Sequence, residues 1–328
     1  MSVNGSTNGN SFDNTEISLS RTVRFWLLLL SDIPSIVCAF ILLYHLIHDS
    51  TTRKALHNHV IILLLILGLT TQLIEIPFYL AFIANSGIVK PLTPATCLTW
   101  WMITFVMYNA GTLLMAWTAI ERHIIIFKFQ WLISRRGRIL AHYLPISLIL
   151  LYVFGFYIYV LFFLRCENDY KYLLPICGAS PCYQTDSFIG KWDFIVNNIV
   201  PSVTVAIMSI TLLIRVVRQK RRINRRNQWR KQRKMTIQLV SLSVLNIVFN
   251  IPLNLISLAR LCGLPEDKGV EAQQYFYFSC YFLIFLFPYV CLIAYPELVS
   301  KMKQKILCRK VQSDAAIVMT DYLSNKNS

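Results

Sequence analysis

The 328-residue chain is 55% hydrophobic and 15% charged, with a formal net charge of +16 and a mean hydropathy of +0.52. These values exclude an ordinary water-soluble protein of two domains and point to a chain that lives in lipid. The excess of 32 Lys and Arg over 16 Asp and Glu would suit nucleic acid or an anionic membrane surface, so its placement along the chain has to decide.

Residues 1–24, MSVNGSTNGNSFDNTEISLSRTVR, are too polar for a cleaved signal peptide. The first apolar run is therefore expected to act as its own insertion signal, behind a short N-terminal segment. Within that segment Asn4-Gly5-Ser6 fits the acceptor pattern for N-glycosylation.

Crossing a hydrocarbon core of about 30 Å takes about 20 mostly apolar residues. Seven runs reach that length, at approximately Phe25 to Ile47, Val60 to Ala84, Leu98 to Ile120, Tyr143 to Leu164, Phe194 to Ile214, Met235 to Ala259 and Ala272 to Tyr295. Inside them only Asp32 and Glu75 are carboxylates. The pattern predicts an all-α membrane protein, a seven-transmembrane helix bundle over 25–295. A tail over 296–328 follows, beginning with the short amphipathic segment PELVSKMKQKIL.

Basic residues set the orientation of such a chain, because short loops rich in Lys and Arg stay cytoplasmic. The loops after runs one, three and five and the tail hold 23 of the 32, the N-terminus and the other loops hold 8, and Arg122 stands apart. The N-terminus is thus expected outside and the C-terminus in the cytoplasm. RVVRQKRRINRRNQWRKQRK then joins two spans at the inner leaflet, where each basic side chain gains about 1 kcal/mol from anionic lipid. That position removes nucleic acid as its partner and leaves topology, lipid contact and docking of an intracellular protein.

Nine cysteines divide in the same way. Cys97, Cys166, Cys177, Cys182 and Cys262 lie in or beside outer segments, where disulfides form. Cys97 is expected to be bonded to the second outer loop. Of the three cysteines there, Cys182 is nearest span five and is the expected partner, with Cys166 and Cys177 left to pair. Cys38, Cys280 and Cys291 read as small core residues. Cys308, past the amphipathic segment, is a juxtamembrane cysteine of the kind that is palmitoylated.

LLMAWTAIERHIIIF puts Glu121, Arg122 and His123 together at the end of the third run. With seven spans, with Cys97 opening that run 25 residues before Arg122, and with the basic third inner loop, the chain resembles the rhodopsin-like (class A) G-protein-coupled receptors over residues 25–308. The resemblance implies a plasma-membrane receptor that binds an extracellular ligand and activates a cytoplasmic heterotrimeric G protein, without catalytic chemistry, cofactor or metal. It further implies that Glu121, Arg122 and His123 form the coupling switch, with Glu121 restraining Arg122 at rest.

Several marks of that family are absent. Its sodium-site aspartate falls at Gly68, no tryptophan marks span four, Asn250 replaces the tryptophan of span six in FNIPL, and Phe287 and Cys291 replace residues of span seven. Where its amine receptors carry an aspartate stands Thr104, which disfavours a biogenic amine. Acidic outer residues such as Glu167, Asp169, Asp186, Glu266 and Asp267 lean instead toward a basic peptide.

Polar residues at membrane depth are costly in lipid and so are expected inside the bundle. Pro77, Pro201, Pro252 and Pro288 favour kinks that open space between spans. Glu75, two residues before Pro77, is the best single candidate for a cationic ligand group. Thr104, Tyr108, Asn250 and Tyr277 complete the expected pocket. Trp100 and Trp101 are expected at the outer rim, in packing or in an interfacial belt. Two other functions deserve weight. A transporter or channel lacks support from internal repeats. A retinal pigment or membrane zinc hydrolase lacks a lysine in span seven and a carboxylate and histidine set recurring on several spans.

Overall fold

The computed structural model describes residues 17, 19–53, 56–127, 134–220, 226–265, 269–293 and 295. Asn4, Cys308, the amphipathic tail segment and most side chains of the basic stretch lie outside that description. Among the described residues there is no strand, and seven helices are long and apolar enough to cross a membrane. We number them α1 (Arg21–His48), α2 (Asn58–Ala84), α3 (Pro94–Ile124), α4 (Arg135–Phe163), α5 (Ile189–Ile214), α6 (Val240–Ala259) and α7 (Glu271–Ile293). Each overlaps one of the seven predicted runs, most with an extra turn or so contributed by polar flanking residues.

Helix α1 packs on α2 and α7, α6 joins α5 to α7, and α3 touches α2, α4 and α5, so the ring closes around α3. Half of the apolar window of α3 is buried, against 28% for α1 and α4. The burial pattern is that of a bundle in lipid. Leu30, Val37, Phe40, Leu151, Ile207 and Val248 face outward, while Asp32, Ser35, Gln72, Glu75, Asn109 and Asn250 are buried between helices. Trp100 and Trp101 are 1% and 0% exposed, core residues rather than a rim belt. The Trp101 indole donates to the Ile176 carbonyl at 2.6 Å, which gives its polar edge a partner inside the protein.

Three spans contain a widened π-helical segment that is followed two residues later by a proline, and α4 has a second, Tyr159–Phe163, that is not. Thr71–Glu75 precedes Pro77, Ile139–Tyr143 precedes Pro145, and Asp193–Ile199 precedes Pro201. A proline has no N–H for the carbonyl four residues back and its ring crowds that carbonyl. The carbonyls in question belong to Leu73, Ala141 and Asn197, each inside its π segment. Widening the turn relieves the crowding and turns side chains off the regular helical register. Glu75 and Gln72, His142, and Asp193 with Asn197 all ride on these three segments. Pro34, Pro252 and Pro288 sit within continuous α-helix.

Candidate functional site

Two polar centres lie toward opposite ends of α3. At the end that carries the disulfides, a cavity of about 880 Å³ opens between α2, α3, α5, α6 and α7. Cys97, at the start of α3, is bonded to Cys177, and Cys166 to Cys182. The expected Cys97–Cys182 bond is thus corrected. Ile176 and Cys177 take left-handed backbone conformations, φ 52° and 49°. In that turn both residues are buried, with the Ile176 carbonyl anchored to Trp101. The Cys177 Cα then lies 5.7 Å from that of Cys97. Cys182, whose N–H is held by the Asn168 side chain, closes the smaller loop back to Cys166. The pinned loop contributes Ala179, Ser180 and residues 184–187 to the cavity wall.

Of the predicted pocket residues, Glu75, Thr104, Tyr108 and Tyr277 line this cavity. Asn250 does not. It is fully buried behind Cys280, whose thiol donates to its Oδ1 at 3.6 Å, and the neighbouring Leu253 and Asn254 reach the wall instead. The three regularly spaced asparagines of α6 turn to three different helices: Asn246 to Met115, Asn250 to Cys280 and Asn254 to Ser202. Glu75 is 4% exposed and accepts a hydrogen bond from the Tyr281 hydroxyl at 3.0 Å. Thr104 faces it from α3 without meeting hydrogen-bond geometry. Glu75 is about 13 Å below the end of α2 at Ala84 by helical rise, well within the bundle.

Sequence reasoning passed over Gln72, Asn109, Tyr281 and Asp193 as cavity residues. Gln72 carried a usable signal, lying three residues before Glu75. Asp193 had none, since its role depends on partners from two other segments. It accepts from Tyr157 at 2.5 Å, Asn197 at 2.7 Å and Tyr183 at 2.9 Å, which joins α4, α5 and the disulfide loop. Asp186, in that loop, accepts from the N–H groups of Phe188 and Ile189. These two bonds hold its carboxyl below the ordinary range.

The opposite end of α3 holds Glu121, Arg122 and His123, eighteen residues and so about 27 Å beyond Thr104. Glu121 and Arg122 are 1% and 6% exposed. The expected pairing differs from what is found. Glu121 is bonded to His142 of α4, Oε1 to Nδ1 at 2.6 Å, while no ion pair joins it to Arg122 among the described residues. The Arg122 Nη1 is buried without a hydrogen-bond partner, with Glu121 and Tyr295 in electrostatic reach. The geometry follows from the π segment of α4, which brings His142 onto α3. His123 contacts the Met208 carbonyl on α5 at 2.9 Å, and Tyr295 donates to Asn58 at 2.7 Å.

The Glu121 contact continues as a chain. His142 Nε2 meets His59 Nδ1 at 3.1 Å, and His59 Nε2 meets the Arg53 carbonyl at 2.9 Å. The Tyr143 ring packs against both imidazoles.

A seven-helix membrane bundle with a cavity at one end of its central helix and a buried arginine near the other is the class of architecture this geometry defines. No protein-family model and no curated protein matches the chain. Among solved structures, the crystal structure of squid rhodopsin superposes with a TM-score of 0.66, covering 93% of this chain and 91% of that one at 14% sequence identity. The chain has the rhodopsin-like seven-helix fold, and it is a multi-pass membrane protein.

Proposed function

We propose that the protein is a plasma-membrane receptor which converts binding of an extracellular ligand in the cavity into nucleotide exchange on a heterotrimeric G protein. The disulfide end is then extracellular, in keeping with an oxidising compartment and with the basic residues gathered on the other side. The observation that carries the reading is the course of α3. One continuous helix runs from Thr104 and Tyr108 in the cavity wall to Arg122, whose unpartnered Nη1 awaits an acceptor. A displacement of α3 by ligand is transmitted along a rigid element to the partner-binding end. The fold of squid rhodopsin supports this reading at the level of architecture.

Guanine-nucleotide exchange, measured across a panel of G proteins and normalised to receptor at the surface, tests it. Arg122→Ala is expected to remove exchange while leaving surface expression largely intact. Unchanged exchange per surface receptor in Arg122→Ala, in a system where the wild type signals, would sink the proposal.

A further inference from the structure

We propose that the cavity takes a ligand bearing a protonated amine with N–H donors, and that Glu75, Gln72 and Asn109 receive that ammonium group. The inference deepens the receptor reading and rests on its premise that the cavity is a ligand site.

The first ground is the orientation of two buried amides. The Ser35 hydroxyl donates to the Phe285 carbonyl at 2.9 Å, so its oxygen is left to accept, and it accepts from Gln72 Nε2 at 2.6 Å. In this orientation the Gln72 Oε1 is left buried without a partner. Asn109 Nδ2 donates both to the Phe105 carbonyl at 2.9 Å and to the Tyr157 oxygen at 2.6 Å. The Tyr157 hydroxyl proton is already engaged by Asp193. Asn109 is therefore fixed, and its Oδ1 is the second buried oxygen without a partner. Both residues line the cavity. A buried acceptor left unmet is unfavourable, and only a donor relieves it.

The second ground is charge. Three carboxylates line the cavity, those of Glu75, Asp186 and Asp193. Both oxygens of Asp193 are bonded within the protein, and Asp186 caps the start of α5. Glu75 has hydroxyl neighbours alone and, among the described residues, no basic partner. Lys191 is the one basic residue among the described residues of the wall. A buried carboxylate without a counter-ion favours a cation from outside, and the Tyr108, Tyr277 and Tyr281 rings in the same wall suit one. The sequence argument against an amine rested on Thr104. The structure supplies the acid from α2, beside Thr104 in the cavity wall.

A small amine and a basic side chain of a peptide share this chemistry. The experiment measures the unfolding temperature of the purified full chain in lipid nanodiscs, with probes at millimolar concentration and no G protein present. One arm uses phenethylamine, its trimethylated form, which has no N–H, and neutral phenethyl alcohol. The other uses Ac-Ala-Lys-Ala-NH2 and the same peptide with an acetylated lysine. Saturable stabilisation is expected from phenethylamine or the lysine peptide, whichever source the site accepts, and not from the neutral or trimethylated controls. Glu75→Gln, which keeps the side-chain shape, is expected to weaken that response about tenfold or more. Equal stabilisation by the alcohol or the trimethylated amine overturns the proposal, as does the absence of response in both arms. A response that survives Glu75→Gln does the same. If Glu75→Gln does not fold, the wild-type probe comparison still decides. Should the ammonium response hold while exchange by the wild type is absent with every G protein, the signalling reading falls and the site stands.

Discussion

The cavity and the Arg122 end differ in the sign of what they leave open. In the cavity wall the buried oxygens without a partner are the amide acceptors Gln72 Oε1 and Asn109 Oδ1 and the Thr104 hydroxyl, beside the Glu75 carboxyl that Tyr281 bonds. At the other end the unmet valence is a donor, Arg122 Nη1, beside an acid already bonded to His142. Each end is thus complementary to a different guest, a donor-rich ligand at one and a carbonyl- or carboxylate-bearing partner at the other. The common device is the proline-relieved π segment, which places Glu75 in one centre and His142 in the other.

The largest expected difference between the ends is covalent. Only the disulfide end is clamped, so removing either clamp should damage the cavity before it touches the Arg122 end. In the loop-entropy picture a bridge spanning 80 residues contributes about 4.5 kcal/mol and one spanning 16 about 3 kcal/mol. Cys97→Ser with Cys177→Ser is therefore expected to lower the unfolding temperature more than Cys166→Ser with Cys182→Ser. The reverse order would show that the smaller loop holds the lid.

At the Arg122 end the comparison sharpens into opposite signs. Glu121→Gln removes the charge beside Arg122 and should raise basal exchange. A differential interaction of about 1.4 kcal/mol corresponds to about tenfold in the active-to-resting ratio. His142→Phe keeps a ring against Tyr143 but removes the partner of Glu121, whose charge is then left to Arg122. Basal exchange should fall. Equal effects of the two variants, per receptor at the surface, would refute the competition between His142 and Arg122 for Glu121.

Pro77→Ala tests the shared device. With an N–H restored at position 77, the Thr71–Glu75 segment can close to regular α-helix, which turns Gln72 and Glu75 away from their present register. Amine-dependent stabilisation should drop several-fold, in the range of about 1 kcal/mol, with the unliganded unfolding temperature nearly unchanged. Parallel loss of both would mean that the proline serves packing alone.

The smallest effect belongs to Asp186, fully exposed at the cavity mouth. Its carboxyl is held below the ordinary value of 3.8 by two backbone N–H groups, so its contribution is complete at pH above that value. It is lost as pH falls through the lower folded-state value. NMR of the Phe188 and Ile189 amides in wild type should show the bonds intact at pH 5 to 7, about one unit and more above the ordinary range. Asp186→Ala should remove them at every pH. Amide shifts that titrate at the ordinary carboxylate value would break the assignment.

Apolar run length alone located the seven spans, because the cost of leaving a backbone polar group unpaired in lipid permits one structure for a 20-residue apolar segment. Spacing from Cys97 to Arg122 placed both ends of α3, and of the four prolines expected to deform their helices Pro77 and Pro201 follow a widened segment while Pro252 and Pro288 sit in continuous α-helix. Glu75 and Tyr277 were found from depth and residue type, since a buried carboxylate has few places to be. What the sequence could not decide was partnership. The choice of Cys177 over Cys182 depends on a left-handed turn anchored by Trp101, and the choice of His142 over Arg122 on a widened turn in a different helix. Asn250 and Asn254 share one helical face, yet which of them reaches the cavity depends on how α6 is rotated against α7. The unpaired oxygen of Asn109 exists because its amide nitrogen donates to the Phe105 carbonyl and to Tyr157, whose own proton goes to Asp193, contacts that join α3, α4 and α5. Period and composition are local properties and were read from the chain, whereas hydrogen-bond partners between helices are set by rotation and register, which only the packed bundle determines.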